Sequence, residues 1–490
     1  MKKIFTLTLM AIALLAQAKT YTLAELAELV PVMEDGTGVA VADGAYIINL
    51  PASLPEGVDG ISFDDNNIVL SKKYFTINGD LTIGDGEVLQ LGGQTEIEVN
   101  GNLTITGATV MAAEGSEGTA KGFRMYQEGA SATLTGCSFI NVGLTYGNGT
   151  EDGCLTATNC TFSEHNSKSG NAVINFTSRS TGNLVEGCVF DNPLLSALGS
   201  GSNVACGITI KNNVVNKPNA SNRLYPGINM SATGPYDIVI EGNEVHGAAA
   251  ETRSGGIALS CLLGNPPTGT LYVRNNFVED CSYGITLTGP GNVVIEDNTV
   301  LNNRYIGNPN NGGSGINLTC NTSGEGVLCK AYIKGNHIEG NIWGVTIIGT
   351  NVEINAGKLV EKDTRRVLDP SEEDYNPGEN VFVGNTGTDA YPHCDWFNNT
   401  ITPVYAQGNT WDVEVQDLEH ISQNVYIMEG LEYATIEDFV SVLPAGSNNT
   451  AITEVKSDTP VNTGRYNLLG QPVDANYRGI VIENGKKVVK

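Results

Sequence analysis

The stretch GITLTGPGNVVIEDNTVLNNRYIGNPNNGGSGINL, residues 284–318, begins and ends on nearly the same phrase. Gly-Ile-Thr-Leu, starting at Gly284, returns as Gly-Ile-Asn-Leu, starting at Gly315. Two further apolar runs, residues 293–295 and 299–301, lie between the two phrases, and Asn298 separates those runs. Three short runs followed by a return to the first indicate one complete unit of a repeat, and repeats of this length decide the fold class.

The second run and its Asn recur along the chain at irregular intervals. The recurring residue is Asn213, Asn243, Asn276, Asn298 and Asn336, continuing to Asn380 and Asn409, and Cys137, Cys160 and Cys188 occupy the same place in earlier repeats. Apolar and polar residues alternate within each run, which predicts short strands with one buried face. Such strands stack in parallel at about 4.8 Å per turn. We therefore expect a ladder of amide-to-amide pairs, with Cys filling the slot as a small hydrophobe.

This pattern resembles the right-handed parallel β-helix of the pectate-lyase-like (pectin lyase-like) superfamily, with its three sheets and its Asn ladder at one bend. The resemblance covers roughly residues 65–410. It implies an all-β fold, a single-stranded right-handed parallel β-helix with three sheets and an Asn/Cys ladder. Because this fold hosts many activities, it does not by itself name a function.

Composition limits the partners. The chain has 490 residues, a formal net charge of −27 and 17% charged residues. The acidic balance argues against binding to nucleic acid or to an anionic lipid surface. We expect the protein to be a monomer. We also expect no membrane span, because no stretch reaches 18 apolar residues.

The two ends of the chain carry targeting signals. Residues 1–18, MKKIFTLTLMAIALLAQA, read as a secretory signal peptide with a basic head, an apolar run and an Ala-Gln-Ala cleavage site. Residues 465–490 resemble the C-terminal tail of Bacteroidetes proteins exported by type IX secretion, through Tyr466–Gln471, Arg478–Ile482 and Asn484–Val488. A small β-hairpin domain is the alternative for this tail. The mature protein is expected to be secreted or at the cell surface, exported through Sec.

After the signal peptide we expect five segments. They are an N-terminal cap with the first strands (residues 19–64), the β-helix (65–412), a C-terminal cap (413–443), a linker (444–464) and the tail (465–490). The cap is predicted to be helical and to cover strand edges that the first coil would expose. Residues 44–110 are expected to form the first coils. Cys320 and Cys329 bracket one loop and are the best disulfide candidates, whereas Cys261 is expected to be a packed thiol.

The outer face of the Gly-Ile-x-Leu strands is where the resemblance places a substrate groove. Its two columns contain no charge; they read Asn175, Asn229, Ala258, Thr286, Asn317, Thr346 and then Thr177, Ser231, Ser260, Thr288, Thr319, Ile348. Lyases of this shape need a base beside a carboxylate, often with Ca²⁺, and hydrolases need paired carboxylates. A different column alternates in sign: Glu186, Lys211, Glu241, Arg274, Glu296, Lys334. We interpret that column as stacked ion pairs rather than a catalytic set.

The loops before these strands are the remaining source of catalytic groups. The candidate catalytic residues are His246, Glu251, Arg253, Glu279, Asp280 and Arg304, with His246 beside Glu251 or Glu279 as the acid/base set. The candidate substrate-binding residues are Asn229, Asn317, Tyr225, Tyr305 and Trp343. Five His without metal spacing predict no zinc site and no cofactor, with Ca²⁺ the one ion that the resemblance allows.

These observations predict an exported or cell-surface β-helix protein that engages a polysaccharide or a cell-surface glycan. The engagement is either binding or chemistry of the polysaccharide lyase or glycoside hydrolase kind. The alternative is a non-catalytic structural or adhesive rod. An enzyme requires a loop-borne cluster of acids and a base within a cleft, whereas a rod requires only a smooth flank.

Overall fold

The computed structural model describes residues 19–164, 172–200, 207–217, 225–231, 234–249, 254–261, 267–321, 327–361, 364–392, 395–402, 404–427, 465–467, 480–483 and 486–489. The predicted signal peptide and the predicted linker lie outside these residues. Two units are described, residues 1–441 and residues 442–490. The first is the predicted β-helix with its ends, and the second is a small β unit.

Three sheets run the length of the first unit. Sheet A consists of Thr20–Tyr21, Asp80–Ile83, Leu103–Thr106, Ala132–Thr135, Leu155–Thr158, Asn183–Glu186, Ile208–Lys211, Ile238–Glu241, Thr270–Arg274, Gly291–Glu296, Cys329–Lys334, Val352–Asn355 and Val404–Tyr405. Sheet B consists of Gly38–Ala42, Ala45–Asn49, Val88–Gly92, Thr109–Ala112, Ser138–Ile140, Thr161–Ser163, Val189–Asp191, Val214–Asn216, Glu244–His246, Phe277–Glu279, Thr299–Leu301, His337–Glu339 and Val381–Val383. Sheet C consists of Ile61–Phe63, Ile68–Leu70, Phe75–Ile77, Glu96–Val99, Gly122–Met125, Gly143–Asn148, Ala172–Ser178, Ser196–Ser200, Ile228–Ser231, Ile257–Ser260, Ile285–Thr288, Ser314–Cys320, Trp343–Gly349, Trp396–Thr400 and Val425–Ile427.

Each coil contributes one strand to sheet A, one to sheet B and one to sheet C, in that order. Equivalent strands pair in parallel from coil to coil. In sheet C, for example, Ile285 pairs with Ile316 and Leu287 with Leu318. Consecutive parallel strands joined by such crossovers wind in the right-handed sense. The all-β, right-handed parallel β-helix expected from the repeat is therefore confirmed.

The predicted Asn ladder is present at the bend between sheets A and B. The Nδ2 of Asn276 donates to Oδ1 of Asn298 at 3.0 Å, and Nδ2 of Asn298 donates to Oδ1 of Asn336 at 2.9 Å. Each amide also reaches a backbone carbonyl of the preceding coil, as Asn298 does to Val273 O at 2.9 Å. The Nδ2 groups of Asn276 and Asn298 thus each have two buried acceptors, the next Oδ1 and a backbone carbonyl.

Cysteine takes over the same slot in the earlier coils, as predicted. The backbone N–H of Cys188 donates to Oδ1 of Asn213 at 2.9 Å, which joins the thiol segment to the amide segment. The Cys188 thiol lies 3.6 Å from Ala157 O, the carbonyl that an Asn amide would contact. Beside it, Phe139, Phe162 and Phe190 form a stack with ring centroids 4.9 and 4.8 Å apart. Small thiols leave room for these rings in the core.

A second ladder, which the sequence interpretation missed, lies at the bend between sheets B and C. The Nδ2 of Asn303 donates to Oδ1 of Asn341 at 3.1 Å, and Asn341 in turn donates to Asn385 at 3.2 Å. Nδ2 of Asn385 then donates to the buried carboxylate of Asp395 at 3.0 Å. At the other end, the backbone N–H of Cys281 donates to Oδ1 of Asn303 at 3.0 Å, so this ladder also begins on a thiol.

The ends of the β-helix combine helices with irregular strands. Thr22 caps the helix Leu23–Leu29 through a capping box with Glu25, as Ser or Thr does three residues before Glu. The helix Leu418–Ile421 at the other end begins after Asp417. The first strands differ from the expected coils, because Gly38–Ala42 pairs antiparallel with Ala45–Asn49, and Ile68–Leu70 pairs antiparallel with both of its neighbours. Positive φ values at Asp43 and Gly44 allow the tight turn that a hairpin needs.

One expected feature of the β-helix is a disulfide between Cys320 and Cys329. Within the described residues no disulfide joins Cys320 to Cys329, so that expected bond is not formed. Both are buried in the core, as is Cys261. The second unit is an antiparallel sheet of Arg465–Asn467, Ile480–Glu483 and Lys486–Val489, within the predicted tail.

Candidate functional site on the outer face of sheet C

The two predicted columns of polar residues lie on the outer face of sheet C. The strand register places Asn229 beside Ala258, Thr286, Asn317 and Thr346 in turn. The second column aligns Ser231, Ser260, Thr288, Thr319 and Ile348 by the same pairings. The inward residues between the two columns are Met230, Leu259, Leu287, Leu318 and Ile347 of the core. Alternation within each strand thus turns one face into a row of amides and hydroxyls.

A cleft of about 180 Å³ opens on this face near its middle. Thr286, Thr288, Asn317 and Thr319 form its floor, and the loop before the strand Ser314–Cys320 forms a wall with Asn310 and Asn311. Tyr283 lines the cleft as well. It is a shallow polar site built on strands rather than a deep pocket.

Asn317 organises the floor of the cleft. Its Oδ1 accepts hydrogen bonds from Oγ1 of Thr286 at 3.2 Å and from Oγ1 of Thr319 at 2.9 Å. Its Nδ2 donates to Pro309 O at 3.4 Å, which ties the strand to the loop. Because the amide orientation is fixed on both sides, the two hydroxyls keep their lone pairs available to a ligand.

The cleft provides hydrogen bonds but no group suited to proton transfer. Among the described residues that line it there is no carboxylate, imidazole or amine. Tyr283 is its one titratable group, and burial raises the pKa of that phenol well above its ordinary value, so it remains neutral. General acid or base catalysis needs a pKa near the working pH. The chemistry available here is recognition of hydroxyl groups.

The predicted acid/base set lies elsewhere. His246 and Glu279 belong to strands of sheet B, not to loops at the rim of sheet C, and they pair with each other as neighbours in that sheet. Nδ1 of His246 is 2.8 Å from Oε1 of Glu279, and its Nε2 is 3.5 Å from Glu244. The arrangement matches the cross-strand side-chain pairs that stabilise sheets.

The remaining catalytic candidates do not join this pair into a cleft. Asp280 follows Glu279 in a left-handed turn, and Tyr305 donates a hydrogen bond to its carboxylate at 3.2 Å. Arg304 is exposed in the adjoining loop. Glu251 and Arg253 lie outside the described residues.

Two of the predicted sugar-contacting residues have other surroundings. Trp343 is fully buried and packs in a separate aromatic cluster, 6.1 Å from Phe397 and 6.3 Å from Tyr391 between ring centroids. The backbone carbonyl of Tyr225 accepts a hydrogen bond from the buried Lys217 ammonium at 2.7 Å. Asn229 and Asn317 are the predicted residues that lie on the outer face of sheet C, where 8% of Asn317 is exposed.

The same outer column continues toward the amino end with charged residues that the sequence interpretation did not include. Upstream of Asn175 the register runs through Thr145 and Arg124 to Glu98. The Arg124 guanidinium lies 4.2 and 4.7 Å from the ring centres of Tyr74 and Tyr126, and its Nε is 3.4 Å from Glu98. Cations over tyrosine faces are stabilised by the ring quadrupole.

The alternating charges predicted on another face are confirmed as a column of sheet A. Arg274 pairs with Glu241 at 3.0 Å, and Lys211 pairs with Glu186 at 3.0 Å. The register places Glu296 between Arg274 and Lys334. The column lies on the outside of sheet A, well separated in the coil from the polar face of sheet C.

No three His, Cys, Asp or Glu side chains in the described ranges converge as metal ligands would. The described helices include none whose length and hydropathy would suit a bilayer crossing.

No known protein family and no curated protein sequence matches this chain. Two solved structures are similar: that of the periplasmic alginate epimerase AlgG and that of a double mutant of the same enzyme. Their sequence identities to this chain are 13% and 14%, each with a TM-score of 0.43, and each alignment covers 81% of this chain and 84% of the other. At this identity the likeness is confined to the fold.

Proposed function

We propose that this protein is an exported or cell-surface β-helix protein that binds a polysaccharide on the outer face of sheet C. The observation that carries the proposal is the cleft floored by Thr286, Thr288, Asn317 and Thr319 and lined by Tyr283. Amides and hydroxyls held in place by their own hydrogen bonds match the hydroxyls of a sugar. A tyrosine at the edge adds an aromatic surface with a polar end.

The repeat favours a polymer over a small ligand. From Ser231 to Thr319 each strand of sheet C offers at least one amide or hydroxyl at about 4.8 Å intervals, so a chain lying along the axis would meet hydrogen-bonding groups on consecutive strands. Asn229 and Ser231 lie three strands before Asn317 and Thr319 in the same columns. A rigid floor also limits the conformational entropy that is lost on binding.

Binding is supported better than catalysis. A lyase or hydrolase would need a base or paired carboxylates at the cleft, and the described residues that line it supply neither. His246 and Glu279 face outward from sheet B and are engaged with each other. A rod without any ligand remains the alternative, and the experiment below distinguishes it.

The test is a binding assay with the chain lacking residues 1–18. Soluble polysaccharides of plant, algal and bacterial type are included in native gels, and retardation reports binding. We expect retardation by at least one polysaccharide and its loss in Asn317→Ala, with Thr133→Val on the outer face of sheet A as the matched control. Circular dichroism confirms folding of each variant.

Two results would contradict the proposal. If Asn317→Ala weakens the retardation by none of the polysaccharides, the binding lies elsewhere, and absence of retardation across the panel favours the structural rod. A parallel assay for new reducing ends or unsaturated products examines catalysis. Product formation by the wild-type chain would replace binding with an enzymatic function.

A further inference from the structure

The outer face of sheet A carries a column of residues in which tyrosine alternates with a smaller side chain. The register aligns Tyr272, Val294, Tyr332, Asn355 and Tyr405 on consecutive strands. We call these five residues the tyrosine column. In the earlier coils the same column is mostly threonine: Thr82, Thr104, Thr133 and Thr156. The rings are therefore confined to the C-terminal half of the face.

The spacing of the rings is set by the fold. Tyrosines on every second strand are separated by two strand spacings, about 9.6 Å along the axis. In an extended glycan with alternating ring orientation, the same face of the sugar returns with every second unit, over about the length of a disaccharide. The tyrosine column thus has the period of such a chain.

Polar columns flank the rings on both sides. On one side Asn292, Lys330 and Glu353 follow each other in register, with Lys330 Nζ 3.4 Å from Glu353 Oε1. On the other side lies the alternating column that contains Glu296 and Lys334. An apolar ring bordered by hydrogen-bonding groups suits a sugar, whose C–H face and hydroxyl edge need both.

An insertion closes part of this face into a groove of about 640 Å³. Residues 356–361 and 364–377 belong to an insertion at the bend between sheets A and B, and Lys358, Glu373 and Asp374 from it line the groove together with Tyr332 and Tyr405. Gln407 fixes the insertion by accepting hydrogen bonds from the N–H groups of Leu359 and Val360 at 2.8 and 2.9 Å. Nδ2 of Asn355 donates to Asp374 O at 2.9 Å.

Two Lys and three acidic side chains line the groove, and four of these five charges form two ion pairs. Lys358 lies 2.9 Å from Asp374 and 4.9 Å from the centre of the Tyr405 ring, and Lys330 is paired with Glu353. Burial raises the pKa of Tyr332, which keeps its phenol neutral. Since the paired charges offer no net attraction to an ion and the further carboxylate, the exposed Glu373, repels anions, the groove favours a neutral ligand over an anionic one.

We propose that this groove is a second binding site, separate from the cleft on sheet C, that takes a linear neutral glycan running parallel to the helix axis with sugar rings stacked on Tyr332 and Tyr405. The site does not require the cleft on sheet C to bind anything. Two rings two strands apart require a ligand of at least three to four sugar units to engage both, by the strand spacing. Shorter ligands reach one ring.

The test is calorimetry with neutral β-linked oligosaccharides of two to six units (gluco-, xylo- and manno-series). It is made in Asn317→Ala, so that the sheet C cleft does not contribute. We expect affinity in one series to rise between two and four units, and Tyr332→Ala added to this background to weaken binding about tenfold, or about 1.4 kcal/mol. Tyr332→Phe keeps the ring and is expected to retain the affinity. Tyr236→Ala removes a partly exposed tyrosine outside the groove and is the matched control.

The proposal is overturned if no series binds, or if Tyr332→Ala and Tyr236→Ala have the same affinity. Charged oligosaccharides are included as a comparison, and a rise of affinity with length that is restricted to them would also overturn the proposal. The outcome is independent of the first proposal, because loss of polysaccharide binding in Asn317→Ala alone reports the cleft, and loss in Tyr332→Ala alone reports the groove.

Discussion

Two bends of the β-helix bury a ladder of polar side chains, one between sheets A and B and the other between sheets B and C. The two ladders differ in length and in the residue at which they end. Both bends hold a ladder of buried Asn side chains that begins on a thiol, at Cys188 in the first and Cys281 in the second. The first ladder continues through amides to Asn409, whereas the second ends after three amides on the carboxylate of Asp395. In both ladders the slot holds a small side chain that can donate or accept a hydrogen bond. Among the described residues of the ladders, an ionisable carboxyl group occurs only at the end of the second.

The largest effect is expected from breaking the first ladder. Asn298→Ala would leave the Asn276 amide, the Val273 carbonyl and the N–H of Asn276 without their buried partners. Each unsatisfied group costs about 1–3 kcal/mol, so we expect the free energy of unfolding to fall by about 4 kcal/mol. Urea unfolding followed by circular dichroism measures it. Asn292→Ala, on the exposed side of the same coil, is the control, and an equal loss there would show that the ladder is not what stabilises the bend.

The charged end of the second ladder gives a pH-dependent effect. Burial raises the pKa of Asp395 to about 6 from 3.8, although it accepts hydrogen bonds from Asn385, Asn424 and the N–H of Asp412. Because the folded state favours the neutral carboxyl, this contribution to stability is complete below pH 4 and is lost as pH rises through 6. We expect a decline on the order of 2–3 kcal/mol over this interval.

Melting temperatures measured from pH 4 to pH 7 check this expectation. Asp395→Asn removes the titrating group and should flatten the decline, whatever its effect on absolute stability. Asp191→Asn, at an exposed position, should leave the slope as it is. An unaltered slope in Asp395→Asn would mean that another group titrates.

The smallest effect is expected at the surface beside the first ladder. Arg274→Glu would set a carboxylate between Glu241 and Glu296 in the column of sheet A. Exposed pairs contribute little, so we expect a loss of about 1 kcal/mol that diminishes at high salt. Ser260→Glu on sheet C, whose neighbours in register are Ser231 and Thr288, should have less effect. A melting point unchanged by Arg274→Glu would show that the ladder alone fixes the register.

The first ladder could be predicted from sequence because its Asn follows an apolar strand with a regular pattern. The second ladder was missed although its residues come five positions after the first, as Asn303 follows Asn298 and Asn341 follows Asn336. Each is preceded by a residue with positive φ, Asn302 or Gly340, which turns the chain into the bend. The signal that the sequence offers is the Asn of the second ladder together with the turn-forming residue before it. These two residues resemble a loop in sequence, because the strand before them has only three residues.

The candidate site was predicted in part for a related reason. The outward positions of sheet C follow from alternation, so Asn229, Thr286 and Asn317 were placed correctly on one face. His246 and Glu279 were assigned to a loop because the short strands of sheet B resemble loops in sequence. The groove on sheet A depends on an insertion folding back over the sheet, and alternation within strands contains no information about that contact.

Because the charges on sheet A alternate in sign, neighbouring coils of the β-helix differ at the surface. Inside, one coil is interchangeable with the next, because each supplies the same Asn slot. Outside, the column from Glu186 to Lys334 changes sign at every strand, and the tyrosine column carries a ring at every second strand. The core therefore repeats with one coil and the surface with two. A chain that gained or lost coils in pairs would keep both patterns, whereas an odd number would set like charges side by side.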